Sequence, residues 1–135
     1  MSQPAVPLKK AIRAALVIDA TLLALLGGPR VHDEVPRSAV APYIVFGDLQ
    51  TRDFSSVGSR SHETRVSLSV LSNQGGTREA HVIAAQIETI LHEAALVLDG
   101  HRLVNLMLET SEARRERNTE ATRITLRFRA FTELL

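Results

Sequence analysis

The chain has 135 residues, of which 44% are apolar and 23% charged, a composition that predicts one globular domain spanning residues 1–135. The formal net charge is +1 and only 4% of the residues are aromatic, which disfavours proteins that hold nucleic acid by a basic field or by base stacking. The absence of cysteine excludes disulfides and thiol catalysis.

The N-terminal part predicts two short helices that meet at Asp19. A carboxylate there would interrupt the apolar stripe of the first helix, which consists of Leu8, Ile12, Ala15 and Leu16. Asp19 is therefore expected to cap a second helix that buries Leu22, Leu23 and Leu26 and ends at Gly27-Gly28. The apolar run 14–26 is shorter than the ~20 residues of a membrane span, so no membrane partner is expected.

The middle of the chain predicts two strands and a long loop. A connector, Val31–Ala41, leads to Pro42, after which Tyr43–Asp48 reads as an extended segment. The polar stretch Thr51–Ser61 is typical of a flexible loop. The next strand is indicated by apolar residues alternating with polar ones, namely Val66, Leu68 and Val70 with Arg65, Ser67 and Ser69.

The C-terminal half predicts one long helix and two strands. Thr77 is the expected N-cap of a helix that runs to about Leu96. A strand over Leu103–Glu109 leads to a charged hairpin loop, Glu112–Glu120. In the last strand one set of residues is expected to face the core, Ile124, Leu126, Phe128 and Ala130, and the other to face outward, Arg123, Thr125, Arg127 and Arg129.

No pattern for catalysis, cofactor binding or metal binding is found. His81, Glu88 and His92 share a helix face, but His81 lies two turns from the other two, and two ligands do not make a metal site. Gly27-Gly28 and Gly75-Gly76 lack the lysine and hydroxyl of a phosphate-binding loop. We therefore predict no catalytic residue, no metal and no cofactor.

The outward arginines of the last strand are the best functional candidate. Arg123, Arg127 and Arg129 would form a positive stripe that could contact phosphates or could itself line the channel of a ring. The same pattern is also typical of an ordinary solvent-facing strand, where arginine stems cover the sheet. Both interpretations stay open at this stage.

The order of small and apolar residues resembles a known family. The matching segments are Asp19–Gly28, Arg30–Asp33, Pro36, Pro42–Gly47, Gly75-Gly76, Glu93–Leu96, Gly100–Val104 and Arg123–Phe131. The chain is similar over nearly its whole length to the small tail-completion, or tail-terminator, proteins of long-tailed phages, prophages and phage-derived gene transfer agents. His32 stands where the family usually has an aromatic residue.

The resemblance carries expectations about fold and function. It implies an α+β fold, here a mostly antiparallel four-stranded sheet with helices packed against it. It also implies a non-enzymatic virion protein, made in the bacterial cytoplasm and located at the head–tail junction. Six copies would form a homo-hexameric ring on the head-proximal end of the tail tube, end tube polymerisation and join the tail to the neck. The expected partners are the major tail tube protein, a neck or head-closure protein, and DNA passing without sequence specificity.

Ring assembly points to two sets of residues. A closed ring needs two different complementary surfaces on each subunit. Arg123, Arg127 and Arg129 are predicted to face the channel or a neighbouring subunit. The two polar projections are predicted to order on assembly, with the candidate residues Arg52, Asp53, Arg60, Arg114, Arg115, Glu116 and Arg117.

Three other functions remain as alternatives. Another head–tail connector or neck component would use the same interaction chemistry. A small nucleic-acid-binding domain would use the arginine face, against which the near-neutral charge speaks. An enzyme is the third alternative, for which the sequence offers no site.

Overall fold

The computed structural model describes residues 3–73, 77–116 and 121–135. In those ranges the elements follow in the order α1 (Ala5–Val17), α2 (Ala20–Leu26), β1 (Val31–His32), β2 (Tyr43–Asp53), β3 (Ser61–Ser72), α3 (Arg78–Leu91), β4 (Val97–Leu98), β5 (His101–Arg115) and β6 (Thr122–Leu134). The predicted Gly75-Gly76 turn and the tip of the C-terminal hairpin, residues 117–120, lie outside the described residues.

The predicted break between the two N-terminal helices is confirmed. The Asp19 carboxylate accepts the backbone N–H of Leu22 at 2.9 Å, as an N-cap should. It also accepts a bond from the Gln86 side chain at 2.9 Å, which ties the start of α2 to α3. α2 ends at Gly27, whose φ of 81° is the left-handed conformation that favours glycine.

The predicted four-stranded, mostly antiparallel sheet is wrong. The sheet has six strands in the order β1-β2-β3-β6-β5-β4, is mixed, and curls into a half-barrel with three helices. β1 pairs in parallel with β2, whereas the other neighbouring strands are antiparallel. β1 and β4 have two residues each, too few to show an alternation in the sequence. β1 lies within the expected connector, and β4 begins directly after Leu96, the expected end of the long helix.

Several predicted boundaries also need correction. The loop expected at Thr51–Ser61 is shorter than predicted, because β2 continues to Asp53 and β3 begins at Ser61. β5 likewise continues to Arg115, into the predicted hairpin loop. α3 ends at Leu91 rather than near Leu96: Glu93 has a φ of 60° and donates its N–H to the Leu106 carbonyl at 2.7 Å, which turns the chain toward β4.

The apolar core lies between the helices and one face of the sheet. The predicted apolar stripes of α1, α3 and β6 reach it: Leu8, Ile12, Leu16, Ile83, Ile87, Ile124, Leu126 and Phe128 are all almost completely buried. β3 contributes Val66, Leu68 and Val70 from the same side. In the described part of the chain, every helix is too short or too polar to cross a bilayer.

Candidate assembly surface on the polar face of the sheet

The side of β3 and β6 that points away from the core is here named the polar face. Strict antiparallel pairing sets Arg65 opposite Arg129, Ser67 opposite Arg127 and Ser69 opposite Thr125 on this side. Alternate residues of a strand point to opposite faces of the sheet, so the apolar residues between these polar ones point into the core. The structure places Arg123, Arg127 and Arg129, the three arginines singled out from the sequence, on this face.

Glu63 is the centre of the charges on the polar face. Its side chain is only 5% exposed, yet it accepts bonds from Arg129 Nε and from Arg65 Nη1, both at 2.7 Å. Arg52 approaches the same carboxylate at 3.8 Å. Arg65 also donates to Glu109 at 2.9 Å, which extends the chain of charges from β2 across the sheet to β5.

These contacts favour the charged forms of both partners. The hydrogen bond from Arg129, aided by the positive charges of Arg65 and Arg52, holds the pKa of Glu63 below its ordinary value and outweighs the opposing effect of burial. The hydrogen bond to Glu109 raises the pKa of Arg65. Glu63 and Arg65 are therefore both charged at neutral pH.

The three arginines of β6 differ in their surroundings. Arg129 is paired with Glu63, and Arg123 Nε donates to Glu116 at 2.8 Å. Arg127 is exposed and has no ion-pair partner among the described residues. It borders a depression of about 190 Å³ that it shares with Asp48, Gln50, Arg65, Val66 and Ser67. Within the described ranges, the stripe predicted from the sequence thus has two arginines paired with carboxylates and one, Arg127, without such a pair.

The β2–β3 tip holds three of the predicted assembly residues. Arg52 lies over the Phe54 ring, 5.3 Å from its centroid, and Phe54 in turn contacts Phe131 with ring centroids 6.0 Å apart. Hydrogen bonds from Ser55 lower the pKa of Asp53, whose carboxylate caps the turn. Arg60 is exposed, and its carbonyl accepts the N–H of Leu134.

The β5–β6 hairpin holds the other predicted assembly residues. Arg114 and Arg115 are exposed near the end of β5, and Arg114 lies 3.8 Å from Glu112. Glu116 is half-buried in its pair with Arg123. Arg117 lies outside the described residues.

The two hairpins lie at opposite ends of the sheet. β3 begins at Ser61 beside the β2–β3 tip, and its last residue, Ser72, pairs with Thr122 at the base of the β5–β6 hairpin. The 12 residues of β3 span about 36 Å at a rise of about 3.3 Å per residue. The sequence suggested two projections, and the structure separates them by the full length of the central strand.

The histidines do not form a ligand set. In the described ranges no three metal-ligating side chains lie close enough to hold an ion. His92 Nδ1 instead accepts the N–H of Leu108 at 3.0 Å, while His81 is exposed. His62 and His101 are buried at the β2–β3 end of the core, and burial lowers the pKa of His101.

Sequence reasoning missed Glu63 and Glu109. Extending the alternation of β3 backward from Val66 would have set Glu63 on the same side as Arg65. Glu63 pairs with Arg129, 66 residues away, and this pair depends on the register between β3 and β6. That register cannot be predicted from the local sequence pattern.

A six-stranded sheet with a charge-compensated face and a hairpin at each end of its central strands is compatible with a small protein that contacts other chains. Comparison with known protein families identifies the class of protein. The chain belongs to the family described as "Tail completion protein gp17", which it matches over residues 10–133. It is thus a structural protein of phage-type tails and is located in the virion or phage-like particle.

A solved structure supports the same assignment. A chain in the structure titled "Virion of native gene transfer agent (GTA) particle" superposes with a TM-score of 0.90 at 33% sequence identity. The match covers 98% of this chain and 99% of that chain. No curated protein sequence matches the chain. The resemblance read from the sequence to tail-completion proteins and gene transfer agents is confirmed.

Proposed function

We propose that six copies of this protein form a ring that caps the head-proximal end of the tail tube. The ring ends tube polymerisation and offers its other side to a neck or head-closure protein, so that tail and head are joined. DNA passes through the ring without sequence-specific contacts. In this role the protein is a scaffold and has no enzymatic activity.

The observation that carries the proposal is the likeness to a chain of an assembled gene transfer agent particle. The likeness extends over 98% of this chain and 99% of the other, so nearly all of this chain corresponds to nearly all of one chain in that particle. Membership of the tail completion family narrows the position in the particle to the tail. A protein that completes a tail belongs at an end of the tube.

The separation of the two hairpins supports a cap with two working sides. A terminal ring meets the tube on one side and the neck on the other, so each subunit needs different contacts at its two ends. The β2–β3 tip presents Phe54 and the fully exposed Val57, whereas the β5–β6 hairpin presents charged side chains. Two ends of such different chemistry suit two different partners.

The polar face supports the assignment of Arg123, Arg127 and Arg129 to the channel or to a neighbouring subunit. Two of these arginines are already paired with carboxylates, so the face attracts phosphate less than three free arginines would. That suits a passage for DNA better than a site that retains it. An assembled particle with these three side chains on the outer rim, in bulk solvent, would show this part of the proposal to be wrong.

The test is deletion of the gene in its source, followed by electron microscopy of released particles. We expect over-long tubes or tails detached from heads, and normal tails when the unaltered gene is restored. Normal tail lengths on filled heads in the deletion strain would refute the terminator role. Normal tube lengths with detached heads would point instead to another neck component, the alternative that shares the same contact chemistry.

A further inference from the structure

The sheet leaves two strand edges without a partner in the described chain. β4 pairs with β5 only at His101 and Arg102. The residues after α3 cover a little more of this edge, because Glu93 bonds the Leu106 carbonyl and His92 bonds the Leu108 N–H. From 109 to 115 every side chain is exposed, and no described strand lies alongside.

β2 has a matching open edge on the other side of the sheet. β1 pairs only with Ile44 and Val45, so the outer side of β2 is free of strand partners from residue 46 to residue 53. Exposed strand edges of this length present unpaired N–H and C=O groups that favour pairing with another chain. One chain thus carries two open edges of similar length, seven and eight residues, on opposite sides of one curled sheet.

We propose that neighbouring copies in the ring join edge to edge, with residues 109–115 of β5 pairing antiparallel with residues 46–53 of β2 in the next copy. This inference rests on the proposed ring. The same contact repeats around the ring as a head-to-tail interface, so that both open edges of every subunit are paired.

Strand direction favours this partner. β5 and β2 run in opposite directions within one subunit, because β2, β3, β6 and β5 are successively antiparallel. A rotation about an axis roughly along the strands preserves those directions. β5 of one copy therefore meets β2 of the next in antiparallel orientation, the more stable arrangement.

The charged side chains along the two edges also favour antiparallel pairing. On the polar face the β5 edge carries Glu112 and then Arg114, opposite Thr125 and Arg123 of β6, and both side chains are about 70% exposed. The β2 edge carries Asp48 and then Arg52. In antiparallel pairing, Glu112 lies opposite Arg52 in one register, and Arg114 lies opposite Asp48 in the register two residues away. Parallel pairing would instead set Glu112 against Asp48 or Arg114 against Arg52, so that like charges meet.

The offset between the two edges fits a closed sheet. Glu112 lies level with Ser69 of β3, whereas Gln50 lies level with Arg65 and Arg52 with Glu63, so the edges are offset by four to six residues. That offset is roughly 14–20 Å, accumulated over four strand spacings of about 4.8 Å each. It corresponds to a strand tilt of roughly 36–46°, close to the tilt that closed sheets require.

Cysteine cross-linking in assembled particles tests the pairing directly. The chain has no native cysteine, so an introduced pair has no competitor. We would replace the gene with variants carrying Glu112→Cys together with either Arg52→Cys or Gln50→Cys, which covers both registers. After oxidation of purified particles, we expect a ladder of covalent oligomers from one of the two pairs. A matched pair, Glu112→Cys with Arg37→Cys in the exposed connector, should stay monomeric.

Mixed particles separate contacts between copies from contacts within one copy. Co-production of the two single-cysteine proteins should give covalent dimers and no longer species. Particles that contain the protein and have tails of normal length, but give only monomers from both pairs, would overturn the edge pairing and leave the terminator role standing. Particles of normal tail length that lack the protein would instead overturn the proposed function.

A charge-reversal series keeps the inference testable if the cysteine variants assemble poorly. Arg114→Glu should lower the yield of head-joined particles about tenfold, because it sets two carboxylates together at Asp48. Asp48→Lys in the same chain should restore the yield. Arg37→Glu is the matched control, since it makes the same change at an exposed position of the connector that belongs to neither open edge. Equal losses from Arg114→Glu and Arg37→Glu, without rescue, would contradict the register that sets Arg114 opposite Asp48.

Discussion

The two faces of β3 and β6 show how one pair of strands serves two purposes. On the core face Val66, Leu68 and Phe128 are packed under the helices with almost no exposure. On the polar face, between these same residues, Arg65, Arg127 and Arg129 lie in or beside a charge network that reaches the surface. Neighbouring positions in the sequence therefore differ completely in what they contribute.

The comparison implies that stability and assembly can be altered separately. Apolar burial on the core face supplies most of the folding free energy, whereas ion pairs near a surface contribute little each. The polar face can thus change its pattern of charges while the core face holds the sheet together. Substitutions on the two faces should have effects of different size and kind.

The largest loss is expected from the core face. Phe128→Ala should reduce the free energy of unfolding by about 3–5 kcal/mol, since the ring is fully buried and its removal leaves a cavity. Urea denaturation of the purified variant measures this, and assembly should fail with the fold. A loss below about 1 kcal/mol would mean that the helices do not close over this position.

A smaller loss is expected from the centre of the polar face. Glu63→Gln should cost about 1–2 kcal/mol at pH 7, because Arg129 and Arg65 lose the carboxylate to which both donate. The pKa of Glu63 lies below its ordinary value of 4.5, so its contribution is present above pH 4.5 and is lost as pH falls through the lowered pKa.

The pH dependence supplies a control on that interpretation. The difference in stability between the native protein and Glu63→Gln should shrink as the pH falls below 4.5. A difference that stays constant down to strongly acidic pH would mean that shape rather than charge is responsible. Glu112→Gln should have almost no effect on stability at pH 7, since Glu112 is 71% exposed and its arginine lies 3.8 Å away.

A still smaller effect is expected from His101, at the β2–β3 end of the core. Burial, and then the nearby His62, lower the pKa of His101 from 6.5. The neutral form therefore contributes stability that is present above pH 6.5 and is lost as pH falls through the lowered pKa. Thermal melts should show His101→Gln losing less stability than the native protein between pH 7 and about 5. His81→Gln, on the exposed face of α3, should follow the native protein.

The smallest change in stability is expected from Arg127. Arg127→Ala should alter the free energy of unfolding by no more than about 0.5 kcal/mol, because the side chain is exposed and has no ion-pair partner among the described residues. It should nevertheless lower the yield of tailed particles, in contrast to Arg37→Ala in the connector. Unchanged particle yield would remove Arg127 from the assembly surface and leave Glu63 and its arginines as the part of that face to examine.

The sequence predicted those parts of the molecule that depend on local periodicity. The cap at Asp19 and the inward residues of β6 follow from spacing within a few residues of the chain. β1 and β4 were missed because two residues cannot show an alternation. The Glu63–Arg129 pair was missed because it joins positions 66 residues apart, and only the register of the sheet brings them together.

The arrangement of the central strands also determines how the protein resists force. β3 and β6 pair at 12 consecutive positions without a bulge. β3 begins at the β2–β3 hairpin and ends beside the β5–β6 hairpin, whereas β6 begins at the β5–β6 hairpin and ends beside the β2–β3 hairpin. Tension between the two hairpins therefore pulls the strands past each other along their length. Because the ladder bonds lie perpendicular to the strands, such a load is shared by all of them at once instead of opening them one at a time. The β3–β6 pair is therefore the part of this sheet best placed to resist tension applied between the two hairpins.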